Sequence, residues 1–335
     1  MSRAGRLAAA AAYGGGGVGL AGVLAGLVLV GQARLARRTI PLAESPPPRC
    51  DGRYGSEYPG EPIRLTLLGD SSAAGLGVDR PRDTPGALLA SGLAERLHRP
   101  VVVRSVAVVG STSAGLVPQR ELALDWRPDL AVILVGANDV THRVRIPVAI
   151  AHLARTVQLL RAGGAQVVVG TCPDLGTIRP IQPPLRWLAR QWSRDMAAAQ
   201  TVAVVEAGGR TVSLGDLLGP EFAASPETMF AADRFHPSAM GYRAAAAALL
   251  PTVIAAAGGR TPSGVPVAGD GVRSLAQAAA EAVDDAGTEV SGARVAGQER
   301  GPAGRWADLR HRLRTRVERP RDPVEPAVVE EGEAA

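Results

Sequence analysis

Between Ile63 and Ala257 short apolar runs alternate with longer helix-like stretches, and this alternation leaves the chain few folds to choose from. The runs are Ile63–Leu68, Val101–Val108, Leu130–Val135, Gln166–Gly170 and Val202–Val205. Each is a short apolar, mostly β-branched run, as in strands covered on both faces. Between them lie Thr84–His98, Ser113–Leu124, Pro147–Arg161 and Leu185–Gln200, and an Ala-rich stretch, Ser238–Ala257, comes last. Strands joined by helices of this length make right-handed βαβ units, so an α/β fold is expected, with a five-stranded parallel sheet between two helical layers. Functional residues in such sheets gather at the C-terminal ends of strands.

Three predicted strand ends carry an unusual polar turn. They are Gly69-Asp70-Ser71-Ser72, the "VAVVGSTSAG" segment with Gly110, and "VILVGANDV" with Gly136-Ala137-Asn138-Asp139. Far downstream, "AADRFHPSAMGY" puts Asp233 three residues before His236, just ahead of the last helix. Hydrolysis by a serine needs a nucleophile, a base, a group that holds the base, and donors for the developing oxyanion. Ser71, His236 and Asp233 supply the first three. The backbone N–H groups of Ser71 and Gly110 and the side-chain amide of Asn138 supply the donors. Alone, each turn has a plainer reading as a helix cap or loop. Together, in order and at strand ends, they make a catalytic set.

These residues resemble the four blocks of the SGNH (GDSL-like) hydrolase family, in its actinobacterial membrane-anchored or exported type. "GDSS" at 69–72, Gly110, "GAND" at 136–139 and "DRFH" at 233–236 are similar to them, over about residues 63–257. Ser72 stands where the GDSL string has leucine. The resemblance implies a flavodoxin-like three-layer α/β/α sandwich and metal-free hydrolysis of esters, thioesters or acylated polysaccharides, with no cofactor. It implies a catalytic Ser71, Asp233 and His236, and an oxyanion hole of Ser71, Gly110 and Asn138. A carboxylesterase or lipase-like enzyme working through an acyl-enzyme is therefore expected. An acyltransferase on the same fold and an inactive envelope-binding protein are the alternatives. Asp70 is expected to shape the nucleophile turn, Asp139 to hold the Asn138 loop or cap a helix, and Trp187 and Trp192 to pack.

Composition removes other chemistries. All 37 basic residues are arginine, so a Walker A lysine, a Schiff-base lysine and a Ser-Lys dyad are excluded. The net charge of +5 resides in residues 1–50, where six arginines face one acid; the remaining 31 arginines and 31 acids balance. No nucleic-acid partner is expected. The two cysteines, Cys50 and Cys172, leave one disulfide open, with two free thiols as the plainer reading, and no Cys/His cluster has zinc spacing.

From Leu7 to Ala33 the chain carries no charge. Twenty-seven uncharged residues exceed the roughly 20 that span a bilayer. Residues 1–40 are thus expected to be a transmembrane or signal-anchor segment and 41–62 a linker. Residues 258–335, rich in Gly, Pro and charge, read as a mostly disordered tail, in which Trp306–Val317 reads as a solvated charge run, with a basic amphipathic helix as the alternative. The expected partners are a small-molecule or lipid ester and the membrane. The expected location is membrane-anchored with the hydrolase domain outside the cytoplasm, or secreted.

Overall fold

The computed structural model describes residues 23, 26–36, 38–39, 45–258 and 289–291. Most of the expected anchor, the tail and its amphipathic segment lie outside the described residues.

The first helix is α1 (Gly26–Ala36). Among the described residues the seven strands are β1 (Gly52–Tyr54), β2 (Ile63–Gly69), β3 (Val101–Ser105), β4 (Leu130–Leu134), β5 (Gln166–Gly170), β6 (Arg210–Val212) and β7 (Glu289–Ser291). They form one sheet in the order β1-β3-β2-β4-β5-β6-β7. The five central strands are parallel, and β1 and β7 pair antiparallel at the two edges. The parallel part has the flavodoxin-like order, in which β2 is the switch point and its neighbours lead away in opposite directions.

The long helices are α3 (Pro85–Leu97), α4 (Leu116–Trp126), α6 (Ile146–Ala162), α7 (Leu185–Glu206) and α10 (Ala239–Ala256), joined by short α2 (Ser71–Ala74), α5 (Ala137–Thr141), α8 (Leu214–Ala224) and α9 (Pro226–Met229). Alternate strand residues sort them into layers. Leu65, Leu67, Leu130, Val132 and Leu134 pack with α3 and α10 through Leu89, Leu93, Leu249 and Val253. Leu68, Ala131, Ile133, Val167 and Val169 face the other way, onto Leu116, Leu153, Val157 and Val204 of α4, α6 and α7. With period 2 and both faces apolar, the strands must be covered twice. Among the described residues α10 alone is long and apolar enough to cross a membrane, and it is a core helix.

The sheet corrects three expectations. Val202–Val205 is not a strand but the end of α7, because no Gly or Pro interrupts the helix before Gly208-Gly209 and Val204 fills the core from a helical position. The fifth parallel strand is instead β6, only three residues long between Gly209 and Ser213. Residues 52–54, expected within a linker, are an edge strand, and Cys50 beside them is buried against Leu67 and α3.

Candidate active site

The site forms where β2 ends at the switch point. The N–H of Asp70 makes the last bond to β4, donating to the Leu134 carbonyl at 3.0 Å. Gly69 has φ +136°, and a Cβ there would overlap the Leu134 carbonyl oxygen. Only glycine lets the chain leave the sheet so close to β4. Asp70 then caps α2, accepting from the Ser72 N–H at 2.9 Å, and Ser71 opens the helix. Burial drives the Asp70 carboxyl up to about 6, against the pull of the Ser72 hydrogen bonds.

The histidine comes from the loop before α10. One oxygen of Asp233 accepts from the backbone N–H groups of Phe235 and His236, both at 2.9 Å. The other faces His236 Nδ1 at 2.5 Å. Thus the same carboxylate folds the turn and orients the ring, and Phe235 stacks edge-on against the imidazole. A carboxylate only accepts, so Nδ1 carries the proton and Nε2 presents its lone pair. That Nε2 lies 3.0 Å from Ser71 Oγ. Burial raises the Asp233 carboxyl, but the hydrogen bonds from the His236 ring and from the Phe235 and His236 N–H groups outweigh it and hold it below the usual range.

The donor side is built from two other strand ends. Val108 to Ser111 form a turn closed by the Ser111 N–H on the Val108 carbonyl, with Gly110 at φ +80°. Positive φ at this position requires glycine and turns the Gly110 N–H away from the closing bond. Asn138, in α5 after β4, donates one amide N–H to the Ser111 carbonyl at 3.0 Å, which fixes its plane. The N–H groups of Ser71 and Gly110 have no acceptor among the described residues. Buried Asp139 accepts from the Ser113 N–H and, at 2.8 Å, from its hydroxyl, locking the two loops together. Burial raises its carboxyl, opposed by those Ser113 bonds.

Of the five residues expected at the site, Ser71, Gly110 and Asn138 follow the C-terminal ends of β2, β3 and β4, and Asp233 and His236 come from the loop before α10, which brings His236 to Ser71. Sequence reasoning missed several supports. Buried Gln119 in α4 accepts from the Gly69 N–H at 2.7 Å and donates to the Gly69 carbonyl and to Ser111 Oγ. Gln200 bridges the Val135 carbonyl and the Cys172 N–H in the same way. The Tyr242 hydroxyl donates to the Leu76 carbonyl at 2.7 Å, tying α10 to the loop after Ser71. No local pattern marks these residues, since each acts across the fold. Trp187 and Trp192 are exposed rather than packed. Cys50 and Cys172 are buried free thiols in different clusters. Among the described residues no group of His, Cys, Asp and Glu could hold a metal ion.

Comparison with known proteins gives this site its class. The chain belongs to the GDSL-like lipase/acylhydrolase family, whose model matches residues 67–244. It is similar to a GDSL-like esterase of Mycobacterium tuberculosis, at 46% identity over 231 residues, covering 65% of this chain and 73% of that protein. The chain is accordingly an enzyme, a carboxylic ester hydrolase of the GDSL type, and its relative has the actinobacterial source expected. Among solved structures, TesA is 26% identical over 56% of this chain and 97% of its own, with a TM-score of 0.46. A catalytic mutant of an acetylxylan esterase from Geobacillus stearothermophilus is 19% identical over 58% of this chain and 96% of its own, with a TM-score of 0.45.

Proposed function

We propose that the enzyme hydrolyses carboxylic esters through a Ser71–His236–Asp233 triad and an acyl-enzyme on Ser71. The observation that carries this reading is the unbroken chain from Asp233 through His236 to Ser71 Oγ, at 2.5 and 3.0 Å. Ser71 Oγ attacks the carbonyl carbon while His236 Nε2 takes its proton. Negative charge develops on the carbonyl oxygen, toward the N–H groups of Ser71 and Gly110 and the second amide N–H of Asn138. Collapse of the intermediate expels the alcohol, which takes the proton from His236. Water then repeats the attack with His236 as base and releases the acid. Preset donors of this kind contribute about 10²–10³ each.

The substrate proposed is a small-molecule or lipid ester. Exposed Val108 and Val109, directly before Gly110, favour an apolar acyl group beside the donors. The uncharged run Leu7–Ala33, which takes in most of α1 and is flanked by arginines at both ends, supports a membrane anchor.

Labelling with a fluorophosphonate, read by peptide mass, tests the nucleophile. Ser71 is expected to carry the phosphonyl group, and Ser71→Ala to lose both labelling and hydrolysis of p-nitrophenyl esters. Full activity in Ser71→Ala would overturn the reading.

A further inference from the structure

Helix α1 is apolar apart from Gln32 and Arg34, yet the hydrolase domain covers only one of its faces. Leu29, Gln32, Ala33 and Ala36 are wholly or partly buried, at i, i+3, i+4 and i+7, so they form one helical face. Ala36 enters the cluster that also holds Ile181 and Ala189. The opposite face leaves Leu27 62% and Leu35 53% exposed, with Val28 and Val30 beside them. An exposed apolar helix face of this kind is a surface that protein or lipid covers.

The covered face is pinned by one side chain. Gln32 is the only amide in the uncharged run from Leu7 to Ala33. Its Nε2 donates to the Pro183 carbonyl at 2.6 Å, and its Oε1 accepts from the Leu185 N–H at 3.1 Å. Two bonds from one amide fix both the height and the rotation of α1 against the start of α7. Two residues beyond this clasp, Trp187 projects from the first turn of α7 and is 66% exposed. Arg34 and Arg38, also exposed, follow on α1 and just after it. Exposed aliphatic residues, a tryptophan and arginines at one end of an apolar helix match the layering of a bilayer boundary, where indole and guanidinium groups lie at head-group level.

We propose that the outer face of α1 and Trp187 form one lipid-facing surface, so that the hydrolase domain rests on the bilayer in a fixed orientation instead of swinging on a free tether. The proposal rests on the membrane reading above, but it assigns a contact to the domain itself, which an anchor alone would not require. A lipid bilayer is the occupant because the exposed face continues an uncharged run long enough to enter one and ends in arginines suited to its surface.

The test uses the full chain reconstituted in phosphatidylcholine–phosphatidylglycerol vesicles, with and without lipids brominated near the head group. Brominated lipid is expected to quench a tryptophan component that Trp187→Phe lacks. Gln32→Leu should still sediment with vesicles but lose most of that quenching, because the domain is released while the anchor stays. If the protein sediments with vesicles and Trp187→Phe is quenched as strongly as the parent, the domain contact is wrong and the anchor stands. If it does not sediment with vesicles, both fall. Quenching fully retained in Gln32→Leu would overturn the clasp. Shielding of Trp187 only in cross-linked dimers, without lipid quenching, would assign the face to a second copy and overturn the proposal.

Discussion

His236 Nε2 stands 3.0 Å from Ser71 Oγ, although 165 residues separate the two in the chain. The approach is held from both ends. Asp233 fixes the histidine turn and its ring, while Tyr242 and Arg243 at the start of α10 bind the Leu76 carbonyl and Asp83 on the serine side. The proposed mechanism depends on this spacing, and the following outcomes are expected.

Asp233→Asn should fold and bind substrate, yet lose about 10²–10⁴ in kcat. An asparagine oxygen can still accept the two backbone N–H groups, but it no longer stabilises an imidazolium or selects the Nδ1–H tautomer. Steady-state kinetics with circular dichroism checks this. The Asp233 carboxyl titrates below its ordinary value, so its contribution to stability is present above the unfolded pKa and is lost as pH falls through the folded one.

Asn138→Ala removes the proposed oxyanion donor and the bond to the Ser111 carbonyl. A fall of about 10²–10³ in kcat with KM little changed is expected, since the interaction forms fully only in the transition state. A variant that raised KM alone would place Asn138 in substrate binding instead.

Gln119→Leu should be costly despite its distance from the reacting atoms. It leaves the buried Gly69 N–H without an acceptor, a penalty of about 1–3 kcal/mol. It also loosens Ser111 relative to Gly69, which can lower kcat by up to roughly 10²-fold. Urea unfolding measures the first effect and single-turnover kinetics the second.

Gly69→Ala is expected to prevent folding or to give an inactive, strongly destabilised protein. The added methyl would meet backbone, the Leu134 carbonyl, which has no side-chain freedom with which to yield. Soluble yield and thermal unfolding decide it; near-parental stability would contradict the geometry.

Asp70 gives stability a pH dependence of its own. Between about 4 and about 6 the folded state keeps a proton there that the unfolded state has released. Stability contributed by this group is therefore complete below the unfolded value and declines as pH rises through the folded one. A shift of about 2 units corresponds to roughly 3 kcal/mol. Asp70→Asn should gain on the parent by up to that amount between pH 4 and pH 7. Equal differences at both pH values would contradict it.

Sequence alone determined the layered α/β class, because a strand apolar on both faces can be satisfied only by cover on both sides. It also supplied the candidate set of Ser71, Gly110, Asn138, Asp233 and His236, because glycine with small polar residues at a strand end, and an acid three residues before a histidine ahead of a helix, are local chemical patterns. Length misled it at two places. A three-residue strand such as Arg210–Val212 carries too little periodicity to register, and the valines at 202, 204 and 205 read as strand until the uninterrupted helix around them is seen. Tertiary structure decided what acts across the chain: the pairing of Gly52–Tyr54 with β3, the Gln119 and Gln200 bridges, and the Gln32 clasp on α7. A glutamine gives no local sign of the backbone groups it will meet, because those groups become its neighbours only when the sheet has formed.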